Sequence, residues 1–208
     1  MSDLFTLWFR PGIFFSTRFS KINSQQARII GFLGVVFGLS LGGFISYFLS
    51  NYIIKEFALR PDEYAAVIKN LNLESKGFLE MLGVQKAYAL LIAFFSIVIA
   101  YMAPHILGGC IFAFLWLLAR DSEKKLEFDA LIDCSAVALG SMIYYAIPAI
   151  GPLIALCMVG INLSRALFIR MKLSGFMKTM SIIMALYFCF FVSAASLQLL
   201  AVPLASWL

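Results

Sequence analysis

Residues 29–54 read IIGFLGVVFGLSLGGFISYFLSNYII, a run of 26 residues without a single charge. About 20 helical residues cross the roughly 30 Å hydrocarbon of a bilayer, so this run is long enough to span by itself. It lacks a small-residue cleavage pattern and is too long for a signal-peptide core, so it is expected to stay in the protein as a spanning helix. Gly34, Gly38 and Gly42 recur within it every four residues, with Gly31 and Ser46 extending the same face. A helix face that is nearly bare backbone lets another helix approach closely. The glycines are therefore candidate packing residues, either within the chain or against a second copy in a homo-oligomer.

The composition of the whole chain agrees with that reading. Of 208 residues, 62% are hydrophobic and 13% charged, with 21 Phe, 8 Tyr and 3 Trp. Soluble domains are closer to half apolar and about a quarter charged. A water-soluble fold is excluded, and one all-α membrane domain is expected. The net charge of +5 comes from basic residues lying between apolar runs. These read as topology signals, and no nucleic-acid partner is expected. Cys110, Cys134, Cys157 and Cys189 are scattered through apolar stretches without a CxxC pair. They point to neither a disulfide framework nor a metal site, and no cofactor is expected.

Four further runs are apolar enough to span. Residues 87–119 are charge-free and contain Pro104, Gly108 and Gly109. The 14 residues after the break are too few to cross alone, so this stretch reads as one long helix kinked near Pro104. Residues 130–147 and 150–169 follow as a hairpin turned at Pro148 and Pro152. Residues 179–206 form the last. With the first span at 27–54, the sequence predicts a bundle of five transmembrane helices.

Five spans with a cytoplasmic N-terminus leave 11 Lys and Arg on the inner side and five on the outer. The C-terminus then lies outside. Residues 1–26 mix Phe5, Trp8, Phe9, Phe14, Phe15 and Phe19 with Arg10, Arg18 and Lys21. They read as an amphipathic segment lying in the cytoplasmic interface. Its basic residues, with Arg170, Lys172 and Lys178, are expected to attract anionic lipids.

Residues 55–86 form the one sizeable hydrophilic connector, on the outer side. Pro61, Asp62 and Glu63 look like a helix start, followed by Tyr64, Val67, Ile68 and Leu71 on one face; Ser75 and Gly77 are expected to interrupt it. A surface-lying connector and an arm for a membrane-protein partner both suit this pattern. Residues 121–129 read as a solvated inner loop.

Ionisable residues inside spans are functional candidates by default. Counted from Ile150, Asp133 lies 17 residues back and Arg165 lies 15 forward, at similar depth in an antiparallel hairpin. They are expected to pair. The alternative is that Asp133 reaches the inner loop and Arg165 snorkels to lipid phosphate. Asn162, Gln198 and His105 complete the intramembrane polar set, His105 following the helix-perturbing Pro104. No HExxH, GxSxG, P-loop or GxGxxG context is present, so no catalytic set is expected.

The leader with Arg10, Pro11 and Phe14-Phe15, one isolated span, an outer connector and four closely spaced spans together resemble the Yip1-domain family. The local match is Tyr145-Ala-Ile-Pro148-Ala-Ile-Gly151-Pro152-Leu-Ile, followed by a span ending in Ser164-Arg165-Ala166. The chain has neither the Asp-Leu-Tyr-Gly-Pro-like motif nor the Gly-Tyr pairs of eukaryotic members, so their vesicle-trafficking roles are not implied. The resemblance implies a five-helix, non-enzymatic membrane scaffold or adaptor. A small channel, transporter or lipid translocator is the alternative, and would need the polar residues to line one cavity.

Overall fold

Every regular element among the described residues of the computed structural model is helical; they are residues 2–63, 75–118, 127–173, 175 and 179–187. Asn23 starts the central helix, α3, Ser24–Leu59. Its Oδ1 accepts from the Gln26 backbone N–H at 2.8 Å, and the Gln26 Oε1 accepts from the Asn23 N–H at 3.2 Å. This reciprocal cap satisfies two amides that a helix start leaves open. The helix then runs 36 residues, about 54 Å.

The next helix, α4, is Ser75–Leu118, 44 residues long and continuous through Pro104. It begins twelve residues before the expected span at Ala87, inside the expected connector, and passes through Ser75 and Gly77, which were expected to break the pattern. A glycine inside a helix costs only about 1 kcal/mol. Tertiary contact outweighs that cost: Leu82 is buried, and the Phe78 ring lies 6.3 Å from Phe57 of α3. Helices α3 and α4 are antiparallel, with Phe57 opposite Phe78 and Ser40 bonded to Ser96.

The hairpin follows as α5, Phe128–Leu139, a 3₁₀ segment over Gly140–Ala146, and α6, Gly151–Met171. The expected span 130–147 is thus half α-helix and half 3₁₀. Proline at the first turn of α6 suits a helix start, where no intrahelical N–H is needed. The turn before it places Ala149 at φ 63°. Four helical stretches, Ser24–Leu59, Gly77–Leu117, Phe128–Ala146 and Gly151–Met171, are long and apolar enough to cross a bilayer. The protein is a membrane-embedded helical bundle. Residues 179–187 are helical, and the rest of the expected fifth span lies outside the described residues, as do Tyr64, Val67, Ile68 and Leu71 and most of the expected inner loop.

The leader, expected as an amphipathic segment in the cytoplasmic interface, packs against the bundle. Residues 2–26 fold into α1, Ser2–Phe9, and α2, Pro11–Thr17, then a 3₁₀ turn at Phe19–Lys21 and the start of α3. Leu7, Phe14 and Phe19 are wholly buried. The Trp8 Nε1–H donates to the Gly140 carbonyl at 2.8 Å, and the Tyr144 hydroxyl donates to the Trp8 carbonyl. Burying a large aromatic side chain contributes on the order of 2–3 kcal/mol relative to leaving it in water, so these rings help to hold the leader on the bundle.

Candidate functional site

The glycine face of α3 receives the hairpin. A Cβ on Gly31 would strike the Ala136 backbone, one on Gly34 the Gly140 backbone, and one on Gly38 the Met142 carbonyl. Gly42 meets Tyr145. The paired numbers rise together, so α3 and α5 run parallel. The glycine stripe is filled from within the chain, by backbone lying directly against backbone.

That parallel register brings the start of α3 and the start of α5 to one end of the bundle. Asp133 on α5 is 3% exposed at its side chain and sits among three partners. The Ser24 hydroxyl donates to its Oδ2 at 2.5 Å, Arg28 Nε lies 3.5 Å from Oδ1, and Arg170 Nη2 lies 3.7 Å from Oδ2. Arg28 also approaches Asp129 at 3.6 Å. Arg170 completes its fork by donating to the Ile22 carbonyl at 3.1 Å, and its guanidinium lies 5.9 Å from the centre of the Phe19 ring. One carboxylate thus ties together the leader, α3, α5 and α6. Beside it opens a cleft of about 570 Å³ lined by Ser24, Glu127, Asp129, Asp133, Arg170 and Lys172.

The expected Asp133–Arg165 pair is not formed. Arg165 is exposed on another face of α6, beside Ile161, Thr179 and Ile183. Depth was estimated within about a turn, but helical phase decided the partner. Five residues along an α-helix turn the side chain by about 140°, so Arg170 faces Asp133 and Arg165 faces away. The spacing Asn162, Ala166, Arg170 is the signal that locates the inward face, because residues four apart share it.

The remaining candidates fall into separate groups. Asn162 is fully buried and its Nδ2–H donates to the Ser141 hydroxyl at 2.5 Å, while its Oδ1 has no hydrogen-bond partner. His105 Nδ1 lies 3.0 Å from the Tyr101 carbonyl of its own helix, which requires the Nδ1–H tautomer, and its ring is 5.7 Å from the Tyr101 ring. Gln198 lies outside the described residues. The cleft beside Asp133 includes neither Asn162, His105 nor Arg165. Sequence reasoning missed the roles of Ser24, Arg28 and Arg170: Ser24 carries no charge to draw notice, Arg28 read as a topology signal, and Arg170 as a topology signal and a lipid-attracting residue.

No family model, curated protein or solved structure matches this chain.

Proposed function

We propose that the protein is a non-enzymatic membrane scaffold or adaptor of Yip1-domain type, with its N-terminus in the cytoplasm and its C-terminus outside. What supports this reading is how the intramembrane polar residues are used. Asp133 is held by Ser24, Arg28 and Arg170, Asn162 by Ser141, and Ser40 by Ser96, in separate groups. Buried polar groups held in separate pairs help to specify a bundle, even with Asn162 Oδ1 and Asp133 Oδ1 left without a hydrogen bond, whereas a translocation path needs them strung along one opening.

Two measurements test it. Proteoliposomes carrying the purified chain are expected to scramble a fluorescent phosphatidylcholine no faster than protein-free vesicles. Scrambling above that level, abolished by Asp133→Asn, would overturn the scaffold in favour of translocation. For orientation, Gly77→Cys introduces a thiol where a Cβ meets nothing within 4 Å. In intact cells it is expected to react with an impermeant maleimide; reaction only after permeabilisation refutes the orientation.

A further inference from the structure

The leader is a helical hairpin that enters the bundle from its charged end. Its base is fixed there, because Ile22 and Phe19 contact Arg170, which itself faces Asp133. Its tip lies deeper. Trp8 bonds to Gly140, and Gly140 packs on Gly34, six residues beyond Arg28 or about 9 Å along α3. With the charged end set at the membrane surface, a tip about 9 Å deeper would fall within the roughly 15 Å of hydrocarbon that a single leaflet offers.

Arg10 stands at that tip, between α1 and α2. Its backbone N–H bonds to the Thr6 carbonyl and its own carbonyl accepts from Phe14. Its side chain is exposed and makes no ion pair or hydrogen bond among the described residues. Exposed apolar side chains flank it in the hairpin: Phe5 at 53% exposed, Phe9 at 77% and Ile13 at 47%. Placed at this depth, a surface of phenylalanine and isoleucine would face acyl chains. A guanidinium set among them stays charged and seeks a phosphate, which it binds through its planar fork.

We propose that Arg10 holds the phosphate of an anionic phospholipid, drawing its headgroup below the charge layer marked by Arg28, Asp133 and Arg170. The site rests on the bundle being membrane-embedded and is independent of the scaffold assignment. A soluble anion could supply the same chemistry, and the apolar surroundings favour the lipid.

The test uses the full-length chain in nanodiscs with Trp116→Phe and Trp207→Phe, leaving Trp8, two residues from Arg10, as sole reporter. Trp8 quenching is compared between phosphatidylglycerol and phosphatidylcholine brominated on the acyl chains. Phosphatidylglycerol is expected to be enriched about five-fold, the worth of one cation at a membrane surface. Arg10→Gln is expected to abolish the preference, Arg10→Lys to weaken it, and Lys21→Gln and added inorganic phosphate to leave it intact. Equal quenching in the sole-Trp8 protein with Arg10 in place overturns the proposal without recourse to any Arg10 variant. So does a preference that survives Arg10→Gln, or one that inorganic phosphate removes.

Discussion

Asp133 and Arg170 face each other at 3.7 Å across the α5–α6 hairpin, and the same carboxylate accepts a hydrogen bond from Ser24. Asp133 is the buried member of the pair at 3% side-chain exposure, while Arg170 borders the cleft lined by Ser24, Glu127, Asp129 and Lys172, and Arg28 lies 3.5 Å from the other carboxylate oxygen. Removing one partner of a buried pair leaves the other uncompensated, at a cost of about 3–5 kcal/mol.

Asp133→Asn and Arg170→Gln are each expected to lower stability by about 1–3 kcal/mol, less than for a fully buried isolated pair, because Arg170 is 27% exposed and Arg28 and Ser24 also face the carboxylate. The double variant should lose less than the sum, with a coupling of about 1–3 kcal/mol. Arg165→Gln, on an exposed face, should change stability by about 0.5 kcal/mol or less and show no coupling to Asp133. Thermal melting in detergent of the three single variants and of the two double variants with Asp133→Asn reads both couplings. A larger coupling to Arg165 than to Arg170 would show the assignment of partners to be wrong.

Gly34→Ala and Gly38→Ala are expected to be destabilising although each adds only a methyl group. Each Cβ would meet backbone, which cannot rotate away, and overpacking costs about 1–3 kcal/mol or more. Gly109→Ala is the control, because nothing lies within 4 Å of its Cβ position. Alanine should be slightly better than glycine there by helix propensity, by about 1 kcal/mol or less. Equal melting temperatures for Gly38→Ala and Gly109→Ala would contradict the close approach of α3 and the hairpin.

Trp8→Phe removes the indole donor to Gly140 while keeping an aromatic ring. The expected loss is about 1 kcal/mol, one hydrogen bond's net contribution. Its signature is local: amide exchange should speed up over residues 2–17 and remain unchanged over α3. Unaltered exchange in the leader would mean that this bond does not hold the hairpin in place.

Ala149 adopts φ 63° between Pro148 and Ile150. This left-handed conformation costs a residue with a Cβ about 1–2 kcal/mol and costs glycine almost nothing. Ala149→Gly is therefore expected to raise the melting temperature, after allowance for the greater flexibility of glycine in the unfolded chain. A fall in melting temperature would argue against the strained turn.

The single observation of 26 consecutive uncharged residues was enough to place α3 in a bilayer, because span length is set by a solvent slab of known thickness. The Pro148–Pro152 hairpin and the four-residue glycine spacing were equally legible, since turns and helix faces are local properties. The start of α4 at Ser75 was not, because what holds that end helical is Phe57, eighteen residues earlier in the chain.

The same division explains the leader and the ion cluster. Its aromatic and basic content made residues 1–26 look interfacial, and only the contact of Trp8 with Gly140, 132 residues away, shows the segment turned into the bundle. Depth along a hairpin can be counted from the sequence, which put Arg165 opposite Asp133, whereas the cation met there is Arg170, beyond the end of the expected fourth span. Which cation it meets depends on helical rotation and on the parallel packing of α3 against α5. Tertiary packing alone fixes those two angles, and they bring Arg170 and Arg28 to Asp133 while turning Arg165 away.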